Sequence, residues 1–432
     1  MAGNSVAIGQ SELAGPAVEN LPPGTTASMS LEDFEQLALE RNPTLVQAGA
    51  QVRISRGEAL QAGLPLNPEV GYVSEQIGAE GTAGELQGMF IEQEIVTGGK
   101  LRLSRAKYAQ RARQAEIQVL AQRYRVLYSV RVAYYEALAQ QQLLALRKQT
   151  SQNSSEITTT VSELRNVGQA NRTDVLQAEI AYQRAHANEQ MAQRRLQSAW
   201  EQLAAVAGIP GLSFTSLEGR LDFAGEDSLD RDTALAHLLE CSPQIRFARA
   251  EVVRDQIGLQ RERVEPIPNV IVRADTGYNF ESRDTVAGVE VGFRLPIFDK
   301  NQGTILQAQA ELQRAQAEVA RVELMLRREF AEAFAEYESA RLLAETYQRE
   351  ALPRADEAYR LYMESFKQRR AAWPQVLDAQ RDYLELYEEY WNRVLEARRA
   401  EAQIASFFLK DGLSQPQVPT PEGHRDATPK PR

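Results

Sequence analysis

Hydrophobic positions recur along this chain with two different periods, and the whole pattern runs twice. Val175, Ala178, Tyr182, Ala185, Ala192, Leu196, Ala199, Leu203 and Val206 fall at steps of three, four or seven. Val376, Ala379, Tyr383, Leu386, Tyr390, Val394 and Ala397 do the same. These are heptad stripes, and alanine at so many seam positions predicts closely packed helices. Ahead of each stripe lies a much longer helical stretch, 99–167 and 303–366. The first holds no proline, and glycine appears only at its borders, at Gly98, Gly99 and Gly168. As one helix it spans roughly 100 Å at about 1.5 Å per residue. The second contains Pro353, which predicts a local bend.

At 268–280 and 285–297 the period changes to two. Val270, Val272, Ala274, Thr276, Tyr278 and Phe280 share one face of the first segment, opposite Ile271, Arg273, Asp275, Gly277 and Asn279. In the second, Ala287, Val289, Val291, Phe293 and Leu295 oppose Gly288, Glu290, Gly292 and Arg294. This split predicts two half-buried strands. Two earlier segments, about 68–77 and 85–96, also read as strands, around a glycine-rich loop at 78–84. They alternate less cleanly, because Glu92 and Glu94 flank apolar Ile91 and Ile95. Alternation alone fits a soluble sheet packed on a helix. Rods this long leave no compact core to receive such a face, so one side is assigned to lipid and the other to a wet lumen. Four strands cannot close a barrel, for which about eight is the practical minimum. Membrane insertion therefore requires several chains.

The periods come round twice because the chain is duplicated. Asn42-Pro43 matches Ser242-Pro243, Pro68 and Val70 match Pro268 and Val270, Lys100 matches Lys300, and Tyr134 matches Phe334. VLQAEIAY (175–182) then matches VLDAQRDY (376–383), one residue further on. Matches that stay in order imply two homologous halves and one inserted residue. The expected organisation is a flexible segment 1–29, a first repeat 30–207, a linker 208–230, a second repeat 231–408 and a disordered proline-rich tail 409–432. The first repeat comprises a helix from 31 to about 64, two strands, the long helix 99–167 and a return helix 173–206. The second repeats this with the long helix at 303–366 and the return helix at 375–408. Ser30 with Asp33 three residues on predicts a capped helix start. Pro43 predicts an early break or kink.

Composition narrows the function. Charged residues are 25% and mean hydropathy is −0.43, with 49 Lys and Arg against 59 Asp and Glu for a net charge of −10. No basic face is concentrated enough for nucleic acid. No run approaches the roughly 18 apolar residues of a membrane helix, so a membrane location requires a β-barrel. Cys241 is the single cysteine, which rules out an intrachain disulfide. Residues 1–26 lack a basic region followed by an apolar core, so no signal peptide is expected in this sequence. His186, His237 and His424 stand far apart with no cysteine beside them, and no phosphate loop, nucleophile elbow or HExxH appears. No catalytic residue, metal site or cofactor is expected, and the chain does not read as an enzyme.

Over residues 30–408 the chain resembles the TolC-like outer-membrane efflux channels. The likeness is carried by the two-fold repeat, by RNVGQANRTDVLQAEIAYQRAHANE, by VLDAQRDYLELYEEYWNRVLEAR and by LPIFDKNQG before the second long helix. ERNPTL and EIVTGGKLRLSRAKYAQ resemble the members that serve heavy-metal and related resistance-nodulation-division pumps. The resemblance implies a mainly α fold with a small β part. Long antiparallel coiled coils would form a trimeric α-barrel, and four strands per chain would contribute to a 12-stranded transmembrane β-barrel. It implies an outer-membrane homotrimer in contact with lipid and extending into the periplasm. A periplasmic adaptor would join it to an inner-membrane pump, and transport would be passive within the channel.

The helical turns at 168–173 and 367–374 become the periplasmic tips, with Gly168, Asn171, Arg172, Trp373 and Pro374 as the adaptor-docking surface. The resemblance also assigns a gate. Thr173 and Asp174 fall on its first-tip Thr-Asp, Asp378 on a ring aspartate, and Gln375 replaces the other ring acid. Phe366 replaces a tip tyrosine and Ala371 a linking arginine, for which Arg369 or Arg370 substitutes. No cysteine precedes Cys241, so a lipidated terminus is not expected. From the residues alone, Asp174 equally reads as a first-turn acid favoured by the helix dipole, Asp378 as a solvated acid, and the chain as a soluble coiled-coil scaffold. The sequence does not encode the cargo.

Overall fold

The computed structural model describes residues 28–75, 85–168, 170–223, 227–368 and 370–417. Helix α1 (Leu31–Arg41) opens on a capping box: the Asp33 N–H donates to Ser30 Oγ at 3.3 Å and the Ser30 N–H to the Asp33 carboxylate at 2.8 Å. The break or kink expected at Pro43 is a full break, so the helical stretch from 31 to about 64 is two helices. Asn42 closes α1, and its Oδ1 accepts from the Thr44 N–H at 3.0 Å to open α2 (Pro43–Ala62). Pro43 sits at the first helical position, where its missing N–H leaves nothing unsatisfied. Ser242 does the same before Pro243, between α5 (Arg231–Cys241) and α6 (Pro243–Val264).

Strands β1 (Glu69–Glu75), β2 (Leu86–Ile95), β3 (Val270–Asn279) and β4 (Asp284–Phe293) form one antiparallel sheet in sequence order. The β2–β3 pairing joins the two halves, with Ile91 opposite Ala274 and Glu92 opposite Arg273. β4 stops at Phe293, short of the expected 297, because among the described residues it is an edge strand with no neighbour beyond it. The loop expected at 78–84 lies outside the described residues.

Helix α3 (Lys100–Asn166) is one unbroken helix of 67 residues. Its counterpart is not. Helix α7 (Gln302–Thr346) passes through a π-helical turn (Tyr347–Ala351) into α8 (Leu352–Lys367). The irregularity expected at Pro353 begins earlier, because a proline ring crowds the carbonyl four residues back and offers that carbonyl no N–H. The return helices are α4 (Arg172–Val206) and α9 (Trp373–Ala405). Helices α2, α3, α6 and α7 pack side by side in that order, mirroring the strands. At the other end α3 pairs with α4, and α8 with α9. Among the described residues no helix is long and apolar enough to cross a membrane.

The main core lies at the waist, where Phe34, Tyr134, Trp200, Phe330, Phe334, Tyr337 and Tyr390 meet. The stretch expected as a linker is part of it: Leu217, Leu221 and Phe223 are buried there. The tail expected to be disordered from 409 is also built in at its start. Leu409 is buried, and the Gly412 carbonyl accepts from Thr44 Oγ1 at 3.0 Å and Gln122 Nε2 at 3.1 Å. Small polar side chains on α2 and α3 form that binding strip. Residues 418–432 and 1–27 lie outside the description. Lys100 is buried and donates to Asn269 Oδ1 at 3.0 Å, whereas its sequence match Lys300 is exposed.

Candidate functional site

Two regions carry chemistry beyond folding: the sheet and the pair of helical turns at the opposite end. On the sheet, register places Val70, Ile91, Ala274 and Val289 in one row across all four strands, and Tyr72, Met89, Thr276 and Ala287 in another. Most of the large apolar side chains of this face stand uncovered, from 42% exposed at Tyr278 to 76% at Val289, while Val270 and Val272 are half-buried. None of the chain's own described helices covers them. The opposite face is polar. Glu69, Glu92, Arg273 and Glu290 form one row, three carboxylates around one guanidinium. The Arg273 guanidinium lies over the Phe90 ring at 4.3 Å. The uneven alternation around Glu92 and Glu94 is thereby explained: both glutamates, with Phe90, belong to this polar face.

At the other end, the two turns pack on each other. Val161, Val175 and Ala178 of the first half share a cluster with Trp373 and Val376 of the second. The first turn follows α3 through Gly168, whose φ of +74° suits glycine. It enters α4 at Asn171, whose N–H donates to Asp174 Oδ2 at 3.0 Å. The second turn repeats this bond: the Ala372 N–H donates to Gln375 Oε1 at 3.0 Å. Asp174 and Gln375 thus hold equivalent helix starts, by the reach-back half of a capping box. Arg172, Thr173 and Pro374 are exposed.

Asp378, its side chain 65% exposed, pairs with Arg381 at 3.3 Å one turn along its own helix. The Arg370 N–H closes the second turn onto the Ser365 carbonyl at 2.7 Å. Among the described residues no hydrogen bond or ion pair links Thr173, Asp174, Arg370, Gln375 and Asp378 to one another. Arg369 lies outside the description. Trp373 corrects the expected docking surface. It is 3% exposed and its ring lies 5.2 Å from Phe366, so it joins the turns from within. Just behind, Tyr359 stacks on Tyr383 at 6.1 Å, and burial pushes both phenols up so that they stay protonated.

His237 stacks on Phe407 and His186 on Tyr182. Among the described residues no group of three His, Cys, Asp or Glu side chains is placed to hold a metal ion.

Comparison with known proteins agrees with this geometry. The family model described as Outer membrane efflux protein matches residues 35–209 and 234–407, one stretch in each half. The cobalt-zinc-cadmium resistance protein CzcC of Cupriavidus metallidurans is 27% identical over 376 residues, covering 87% of this chain and 88% of that one. A membrane protein from Pseudomonas aeruginosa superposes with a TM-score of 0.74 at 18% identity, over 88% of this chain and 92% of that one. The outer-membrane channel OprN gives 0.71 at 18% identity, over 89% and 91%.

Proposed function

The chain belongs to the outer membrane efflux protein family, and from that premise we propose that it is the outer-membrane channel component of a tripartite efflux pump. Three copies share one 12-stranded barrel and one helical tunnel, and cargo crosses passively, driven by an inner-membrane pump through a periplasmic adaptor at the helical turns. The observation that carries this reading is the bare apolar face on a four-stranded sheet with two free edges. Such a face needs lipid, such edges need partners, and four strands need further copies to close. The tips carry the gate, with Asp378 as the acid ring and Asp174 and Gln375 holding the helix starts around it. Divalent metal cations are the favoured cargo. The similarity to CzcC supports this, as does the row of three glutamates per chain on the inner sheet face, which favours cations.

Internal symmetry supports one register for the joint between copies. The β1–β2 register sets Glu69 opposite Glu92, and the β3–β4 register sets Val270 opposite Phe293. With Val70 equivalent to Val270, Gln93 becomes equivalent to Leu295. The Gln93–Val272 pair between the halves then has a counterpart in which Leu295 of one copy faces Tyr72 of the next. Likewise Ile297 faces Val70, so the unpaired residues 294–297 complete β4. Paired strands bring Cα atoms within disulfide reach. A Y72C/L295C variant in a C241S background should therefore run as a covalent trimer on non-reducing gels and conduct ions in planar bilayers. A protein that stays monomeric in aqueous buffer, without detergent and without conductance, would refute the channel.

A further inference from the structure

The two helical turns carry a charge opposite to that of the chain. The sequence as a whole has a net charge of −10. Yet residues 163–174 and 364–375 hold Arg165, Arg172, Lys367, Arg369 and Arg370 against only Glu163, Asp174 and Glu364. Two of those carboxylates are already engaged: Asp174 accepts from the Asn171 N–H, and Glu364 from Gln368 Nε2 at 3.3 Å. Arg165, Arg172, Lys367 and Arg370 are all exposed, and among the described residues none of the four is in an ion pair. Further along the long helices several arginines are paired. Arg354 pairs with Glu350, Arg360 with Asp356, Arg321 with Glu318 and Arg393 with Glu396, each within one turn of its own helix.

At the turns the cations outnumber the carboxylates and stand unpaired among the described residues. The cluster around Trp373 holds the two turns side by side, which makes these cations one surface. Val167, 65% exposed, adds an apolar contact point. Within the same cluster the indole N–H of Trp373 has no acceptor among the described residues, although the ring is buried. A buried donor without a partner is a cost that an incoming acceptor removes.

We propose that the turns form a docking surface for an acidic protein segment that presents carboxylates to Arg165, Arg172, Lys367 and Arg370. This rests on the docking of an adaptor at the turns proposed above, and names the chemistry by which the adaptor is chosen. Guanidinium groups match carboxylates through paired N–H donors. A cationic patch on an acidic molecule also gives the partner one favourable approach, since the rest of the surface repels it.

The test uses the full chain reconstituted in nanodiscs and a designed disulfide-stapled helical hairpin with four glutamates at its turn. The same hairpin with four glutamines and with four lysines serves as control. At low salt the glutamate hairpin should bind on the order of tenfold tighter than the glutamine one, and the difference should shrink as salt rises. An R165E/R172E/K367E/R370E variant should reverse the preference in favour of the lysine hairpin. Equal binding of the glutamate and glutamine hairpins to the wild-type chain overturns the inference. So does a preference that the quadruple variant leaves unchanged, or attachment through these four residues to phosphatidylglycerol vesicles with no preference among hairpins. Conductance in planar bilayers separates this from the reading beneath it. A chain that conducts but shows no hairpin preference loses only the acidic partner, whereas a wild-type chain that never conducts loses the channel itself.

Discussion

The two long helices come from one duplicated design and have diverged in continuity. α3 runs 67 residues unbroken, while α7 and α8 are joined through a π-helical turn at Tyr347–Ala351. Above that turn the buried positions of the two halves match at a separation of 200: Tyr108 with Ala308, Ala115 with Ala315, Val126 with Leu326, Tyr134 with Phe334 and Leu144 with Ala344. Below it the match is at 201, as Ser151 with Leu352 and Val175 with Val376. The inserted residue that the sequence repeat required therefore resides in the π turn. One extra residue in an α-helix would rotate everything beyond it by about 100°, turning the buried stripe to solvent. A π turn absorbs the residue locally and leaves both flanking helices in phase. Pro353 holds the turn there, because the carbonyl of Arg349 loses its helical donor.

The strongest way to break this comparison is to delete one residue from each helix. Removing Ala145 from α3 rotates the first tip against its partners. It should cost about 3 kcal/mol or more, as expected when core packing is lost, and should abolish trimers on gels. Removing Arg349 together with a P353A change should leave assembly and conductance intact, because the second half then becomes as continuous as the first. Equal damage from the two deletions would show that the π turn does not house the insertion.

A finer contrast concerns how each long helix holds the segment between the repeats. The Tyr134 hydroxyl donates to the Met29 carbonyl at 3.2 Å and also to the Glu218 carbonyl. In the second half Tyr337 has that task from the other direction: its hydroxyl accepts from the Leu229 N–H at 3.2 Å and from Arg341 at 2.7 Å. Y134F and Y337F should each lower stability by about 1 kcal/mol, read as a fall in the denaturation midpoint. A cost confined to one variant would show that only one helix anchors the segment.

The smallest effect separates the helix starts. In the first half Asp33 sits three residues inside the helix, and its bonds from the Ser30 N–H and hydroxyl hold its carboxyl below the usual range. A carboxyl lowered in the folded state stabilises above its unfolded pKa, and that contribution is lost as pH falls through the folded value. D33N should therefore cost about 0.5 kcal/mol near neutral pH and nothing in strong acid. In the second half Asp230 is itself the cap, accepting from the Thr233 N–H at 2.9 Å. D230N keeps an acceptor oxygen there and should shift stability less. A D33N difference that persists in strong acid would remove the charge from the explanation.

Much of the molecule was legible because it rests on period and repeat. The heptad stripes located α4 and α9, Ser30 with Asp33 marked the first helix start, and the alternation in 268–280 and 285–297 named the apolar face that stands uncovered. The resemblance to the efflux channel family, read from stretches around both turns, is borne out by the family match over both halves. The failures share one cause: each depended on what a segment meets at a distance. Pro and Gly in 409–417 read as a disordered tail, yet Thr44, Gln122 and Ser129 give that backbone partners. Trp373 read as a docking residue because it adjoins a turn, yet Val161 and Val175 of the other half enclose it.

By itself the sequence determined the duplication, the rods, the strands and the sidedness of the sheet, since local period and side-chain chemistry set these. Tertiary structure decided that none of the described helices covers the apolar face, that the extra residue sits in a π turn, and that the two ends meet around one tryptophan. Those outcomes depend on contacts between residues about 200 positions apart, and a local pattern carries no record of which distant surface will fill a given space.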